Sequence, residues 1–187
     1  MSYVLGTYVR SVKENFTKGK GCYLYTEKGE KVFYDSMKFW NENEGIAIGD
    51  PVEDCMSVII TRDGGNTWQK ISCENLPKVE KGEAAFAASN SNIAIFGNNA
   101  WVATGGKKSR VMHTADKGKT WEIFDTPIVQ GKAMTGIYSI DFWDEKHVRR
   151  GTWDGGPIDK AKTNAFVRKL MRDYSLPDGQ IDWKKFH

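Results

Sequence analysis

Thr61-Arg62-Asp63-Gly64-Gly65-Asn66-Thr67-Trp68 reads as hydroxyl-x-Asp-x-Gly-x-x-Trp, and Thr114-Ala115-Asp116-Lys117-Gly118-Lys119-Thr120-Trp121 repeats it. Each copy follows a strand-like run, 57–60 or 109–113, and leads into another, 67–72 or 120–124. The pattern is that of a hairpin turn with its own chemistry. Asp63 and Asp116 are placed to accept backbone hydrogen bonds from their own turns. Gly65 and Gly118 let the chain reverse through the left-handed region. Trp68 and Trp121 can lie over the turn and close it against a neighbouring repeat. Thr61 and Thr114 supply the hydroxyl of each box. Two copies fifty-three residues apart identify a repeat architecture.

Outward from the boxes the units are regular. Residues 31–77 form one: an alternating run over 32–40, a polar turn at 41–45, a short apolar run at 46–50, then the strands flanking the first box. Residues 78–127 form the second, with strands expected at 84–89, 93–96, 101–104, 109–113 and 120–124. A third opens within 128–148, where Phe142-Trp143-Asp144-Glu145 echoes Phe39-Trp40-Asn41-Glu42. Four short antiparallel strands in some forty residues make one propeller blade. Residues 1–30 read as an N-terminal strand or hairpin segment, with Cys22–Thr26 expected to pair across Glu27-Lys28-Gly29-Glu30 with Lys31–Asp35. Residues 149–187 diverge into a basic tail whose apolar residues over 160–173 have helical spacing. The fold class expected is all-β: an incomplete propeller of two to three four-stranded blades with a partly helical tail.

The bulk properties exclude more than they assign. A length of 187 residues suffices for a core, and no apolar run approaches a membrane span. The N-terminus lacks the apolar stretch of a secretory leader. The expectation is therefore a cytoplasmic chain, or a periplasmic or secreted one whose leader is missing from this sequence. The net charge of +3 is mild and concentrated in the tail. No aromatic-interleaved RNA-reading motif accompanies it, so a solvated face is favoured over nucleic acid. Of the three cysteines, Cys55 and Cys73 lie nearly opposite if the hairpin folds about Gly64-Gly65. They are either a disulfide, which favours an oxidising compartment, or two small residues at strand ends.

The boxes, with Phe39-Trp40-Asn41-Glu42-Asn43-Glu44-Gly45-Ile46-Ala47-Ile48-Gly49-Asp50-Pro51 and Gly82-Glu83-Ala84-Ala85-Phe86-Ala87-Ala88-Ser89, resemble BNR or Asp-box repeats of sialidase-like β-propellers. Within these they resemble the bacterial group related to the photosystem II stability and assembly factor propellers. The resemblance covers about 32–145. It implies an exported propeller of six to eight blades, of which this chain holds two and a half, so a fragment, a capped truncation or one part of an oligomer is expected. A shorter likeness, of 19–35 to the opening hairpin of class III aminotransferases, has no cofactor-binding domain after it.

Catalytic chemistry is sparse. True sialidases use three arginines, a Tyr-Glu pair and an acid Asp around the central channel, and no such set can be carried over onto this sequence. The loop 103–109 lacks the first Gly of a phosphate loop, and His113, His147 and His187 have no metal-ligand spacing. No cofactor and no metal are expected. The expected function is a non-catalytic module binding a protein or glycan through blade loops, with Asp50, Glu53, Lys107, Lys108 and Arg110 as candidate ligand-loop residues. The alternative is a carbohydrate hydrolase whose site is completed by missing blades.

Overall fold

The computed structural model describes residues 2–5, 8–11, 22–86, 91–126, 128–133, 135–142 and 148–150. The expected helix at 160–173 and the rest of the divergent tail beyond residue 150 lie outside the described residues. In chain order the strands are β1 (Ser2–Leu5), β2 (Tyr8–Ser11), β3 (Cys22–Thr26), β4 (Tyr34–Phe39), β5 (Gly45–Gly49), β6 (Ser57–Thr61) and β7 (Gln69–Lys70). They continue with β8 (Glu83–Ala84), β9 (Ile93–Phe96), β10 (Asn99–Ala103), β11 (Gly105–Gly106), β12 (Arg110–Thr114), β13 (Glu122–Asp125), β14 (Asp141–Phe142) and β15 (Val148–Arg150). Among the described residues no helix is long and apolar enough to cross a membrane.

Two four-stranded antiparallel sheets form the centre, ordered β4-β5-β6-β7 and β9-β10-β12-β13. A three-stranded sheet, β1-β2-β3, precedes them and a β14-β15 hairpin follows. The first strand of each sheet lies beside the first strand of the next: β1 by β4, β4 by β9, β9 by β14. Sheets packed face to face with their first strands together are propeller blades, the first strands innermost. The chain is a partial β-propeller.

Period-two alternation explains how the blades stack, because each strand sends alternate side chains to opposite neighbours. Ile46, Ile48, Val58 and Ile60 of the first central blade meet Ile93, Val102 and Met112 of the second in one core cluster. On the other face Ala47 and Ile59 join Val32, Tyr34, Met37 and Trp68, with Tyr25 packed against them. In the second blade Ala94, Trp101, Ala103 and Val111 turn the opposite way, toward Ile137 and Ile140. A strand covered on both faces has no polar side to show, so β5 reads Gly-Ile-Ala-Ile-Gly and is buried throughout. Truncating a fully buried residue such as Ile59 to Ala would cost about 2–5 kcal/mol.

Three expected elements differ. β3 pairs with β2 rather than with 31–35. The reason is that β4 is hydrogen-bonded to β5, and residues 27–33 cross between sheets. Glu27 anchors that crossing by accepting the hydroxyls of Tyr25 at 3.1 Å and Tyr34 at 2.7 Å and pairing with Lys70. Of the strand expected at 84–89, Glu83–Ala84 pairs with β11 outside the blade sheet and 85–86 are not strand; 87–90 lie outside the described residues. In the third unit the strands among the described residues are Asp141–Phe142 and its partner Val148–Arg150, and 135–140 first runs along the second blade, Ile137 N–H reaching Thr104 O at 3.4 Å and Ile140 N–H reaching Ser91 O at 2.7 Å.

Candidate functional site

Each Asp box closes on itself. The Thr61 hydroxyl donates to Asp63 Oδ1 at 2.9 Å and accepts the Gly65 amide at 2.8 Å. Asp63 also takes the Thr67 amide at 2.9 Å and the Thr67 hydroxyl at 2.7 Å, while Trp68 Nε1 donates to Gly65 O at 3.2 Å. The second box repeats this through Thr114, Asp116, Gly118, Thr120 and Trp121, with the Lys119 amide as an added donor. The Thr67 amide, then its hydroxyl, hold Asp63 down at about 2. In Asp116 burial pushes up, but the Thr120 hydroxyl and amide and the Thr114 hydroxyl outweigh it and hold the carboxyl at about 2. Both oxygens of each carboxylate are engaged within the turn, so neither is arranged as a proton donor or nucleophile.

The box end is also where the blades are stitched together. Glu44 pairs with Lys117 of the next blade and with Arg62 at 2.9 Å, and Lys117 first, then Asn41, depress its carboxyl to about 2. Arg62 donates to Lys117 O at 2.6 Å and lies 5.9 Å over the Trp40 ring. Trp40 Nε1 donates across to Asn99 O at 3.1 Å.

Opposite the boxes lie the loops that join β5 to β6, β7 to β8 and β11 to β12. The first two of these loops, with Lys31, frame an open cleft of about 720 Å³ lined by Lys31, Asp50, Pro51, Glu53, Asp54 and residues 79–84. Asp50 and Glu53 are therefore cleft residues. Asp50 Oδ1 accepts the Ala85 amide at 3.2 Å, and burial raises its carboxyl despite that bond. Cys55 and Cys73 are joined by a disulfide with Cα atoms 5.5 Å apart, which ties the loop to the base of the outer strand. Glu53, Asp54 and Cys73 come close enough together to suggest a metal, but the Cys73 sulfur is committed to the disulfide and cannot ligate.

The second candidate loop divides. Lys107 is exposed, its amide donating to Gly82 O at 2.9 Å. Lys108 pairs with Asp125 at 2.7 Å. Arg110 does not belong with them. Its side chain is buried, Nε donating to Glu83 Oε1 at 3.1 Å and a terminal nitrogen to Glu83 Oε2 at 2.5 Å and to Lys78 O at 2.8 Å. Glu83 further accepts the Thr104 hydroxyl at 2.5 Å and the Glu80 amide at 2.9 Å. A guanidinium with its carboxylate already in place is a structural pair, not a seat for an incoming anion.

Two residues on the segment next to Asp50 were not singled out from the sequence. Asp35 is the extra residue of a bulge between Tyr34 and Ser36, only 8% exposed, with Oδ2 lacking any hydrogen-bond partner. Burial, then the charge of Asp50, raise its carboxyl to about 8. Phe33, whose carbonyl accepts the Asp50 amide at 2.9 Å, is 38% exposed. The sequence signal for Asp35 was an acidic residue within an otherwise regular inner strand.

Residues 23–131 match the family described as Photosynthesis system II assembly factor YCF48. Among solved structures, the chain is similar to one titled "YCF48 bound to D1 peptide", at 21% identity and a TM-score of 0.45. The match covers 60% of this chain and 31% of that one, so this chain matches less than a third of that protein's length. No match is found among curated proteins.

Proposed function

The chain belongs to the Photosynthesis system II assembly factor YCF48 family, and from that premise we propose that it is a non-catalytic propeller module that docks a segment of a partner polypeptide on the face opposite its Asp boxes. The observation that carries the reading is the division of labour between the two ends of the blades. At the box end the carboxylates and cations described above are spent on the turns and on joining blades. At the other end an open cleft gathers charged side chains, among them Asp50, Glu53, Glu80 and Lys81, on loops that the sheets do not need for pairing. Binding residues are concentrated on loops that a rigid scaffold positions. The family description, an assembly factor, makes polypeptide the partner class. The disulfide supports an oxidising compartment. The carbohydrate-cleaving alternative finds no support, since the box aspartates are consumed by their turns.

The test is a nuclear magnetic resonance titration of the isotope-labelled chain with overlapping peptides from photosystem II subunits. Shifts are expected at 50–54 and 79–85. Perturbations confined to 61–68 and 114–121, or no binding by any peptide, would refute it.

A further inference from the structure

The Cys55–Cys73 disulfide stands where the two walls of the cleft meet. Cys55 directly follows the wall at 50–54, and Cys73 begins the short helical turn Cys73–Asn75 that leads to the wall at 79–84. Among the described residues three other ties join the walls at this end. The Val79 amide donates to Asp54 O at 2.8 Å, Cys55 and Lys78 form a β-bridge, and Lys78 pairs with Asp54. Both side chains of that ion pair are mostly exposed, so it contributes little. The far end of the cleft is closed separately, where Asp50 Oδ1 accepts the Ala85 amide.

The two cysteines are unequally placed. Cys55 is 2% exposed and belongs to the core cluster with Met56 and Leu76, whereas Cys73 is partly buried and packs against that cluster. Both line a second open cavity of about 340 Å³, which Val52, Ser57, Lys70 and Ile71 help to wall. Access decides whether a disulfide exchanges with thiols, and this one borders a space that admits a small thiol. We propose that the cystine is a redox-modifiable site, opened in the folded chain by a dithiol reductant, and that opening it loosens the adjoining end of the cleft. A thiolate of the dithiol attacks Sγ of the less buried cysteine, Cys73. An S–S bond to the reagent forms, the Cys55–Cys73 bond breaks, and its electron pair leaves on Cys55 Sγ, which takes a proton from water. The reagent's second thiol, ionised, attacks its own bound sulfur and displaces Cys73 Sγ, which is protonated in turn. The cystine is reduced to two thiols and the dithiol is oxidised to its disulfide. A monothiol stalls at the mixed disulfide, because the neighbouring Cys55 thiol reverses the step. The consequence for binding rests on the docking reading above and adds a control to it: the oxidised chain docks, and the reduced chain docks more weakly.

The test is dithiothreitol reduction of the Cys22→Ser chain, in which the thiols counted are Cys55 and Cys73, followed by amide hydrogen exchange. The reduction rate should rise in proportion to dithiothreitol and stay flat with urea below the unfolding transition. In the reduced chain the Asn75, Leu76 and Val79 amides, bonded to the Ser72, Cys73 and Asp54 carbonyls, should exchange about tenfold faster. The Ala85, Gly65 and Gly118 amides should keep their protection. Cys55→Ala/Cys73→Ala should show the same pattern without reagent. A rate that levels off at high dithiothreitol, or climbs with urea as unfolding does, makes the bond a staple opened only by unfolding and overturns the proposal. Unchanged exchange at 75, 76 and 79 overturns it too, as does acceleration of every amide alike. A peptide that maps to the cleft with equal affinity for the oxidised and reduced chains overturns the control while leaving the docking reading intact. Opening of the folded chain with no peptide bound in either form sinks the docking reading instead.

Discussion

Replacing both Cys55 and Cys73 with Ala should destabilise the chain by about 3 kcal/mol, a figure that follows from the sequence separation of 18 closed by the bond and the chain entropy it removes. The loop so closed contains the whole first Asp box. Its outer strand is a weak element: β7 pairs with β6 only at Ile59–Lys70 and Ile60–Gln69, and both its residues are exposed. One further bond, from the Ile71 amide to Val58 O at 2.9 Å, extends the ladder. The corresponding hairpin of the second blade is longer, with four register pairs between β12 and β13, and closes without sulfur. There the Thr126 hydroxyl donates to Ser109 O at 2.7 Å and Lys108 pairs with Asp125. At roughly 2–4 °C per kcal/mol for a chain of this size, the double variant should melt about 6–12 °C lower. Urea unfolding of the wild type, the wild type with reductant and the double variant would measure it, and the last two should coincide. Thiol titration of the unfolded, unreduced wild type should find one reactive cysteine, Cys22. Three reactive thiols, or a loss below about 1 kcal/mol in the variant, would refute the reasoning.

Gly118 has φ +85, and a Cβ there would stand 2.3 Å from Ile60 Cδ1 of the preceding blade. Gly118→Ala should therefore cost about 2–4 kcal/mol from backbone strain and overpacking together, and Gly131→Ala, with nothing within 4 Å, only the strain; equal melting points for the two would contradict the blade contact. Removing one partner of the Glu83–Arg110 pair, as in Arg110→Met, leaves a buried charge and should cost about 3–5 kcal/mol, with much of the loss recovered in Glu83→Leu/Arg110→Met, as chemical denaturation would show. Asp35 titrates near 8 in the folded chain, above its unfolded value, so its contribution is complete below about pH 4 and is lost as pH rises toward 8. Asp35→Asn should flatten that decline in melting temperature, and a slope unchanged by the substitution would place the titrating group elsewhere. Asp63 and Asp116 have the opposite sign, because their depressed values give stability that is present above about pH 4 and lost as pH falls through about 2. Asp63→Asn/Asp116→Asn should remove that acid dependence from the melting curve.

The propeller was legible because its decisive signals are local: a box binds itself within four residues, and alternation along 46–48, 58–60 and 101–103 distributes side chains between two neighbouring sheets without further information. What escaped depends on contacts distant in sequence. The Arg110 guanidinium looks like a loop cation when read beside Lys107 and Lys108, and only the return of 80–83 under the second blade gives it a buried carboxylate. Pairing of β3 with β2 instead of with the residues just after it was hidden for a related reason. A short turn makes a hairpin locally attractive, but Val32 and Tyr34 gain more by entering the cluster around Ile59 and Trp68, and burial of two large apolar side chains outweighs a few edge hydrogen bonds. Asp35 is the sharpest case. Its setting comes from one inserted residue in the ladder, a second acid just past the end of β5, and an oxygen without a hydrogen-bond partner, none of which periodicity can express. In a radial stack the blades are specified by pattern, and what pattern leaves open arises where bulges and loops break it, as at Asp35.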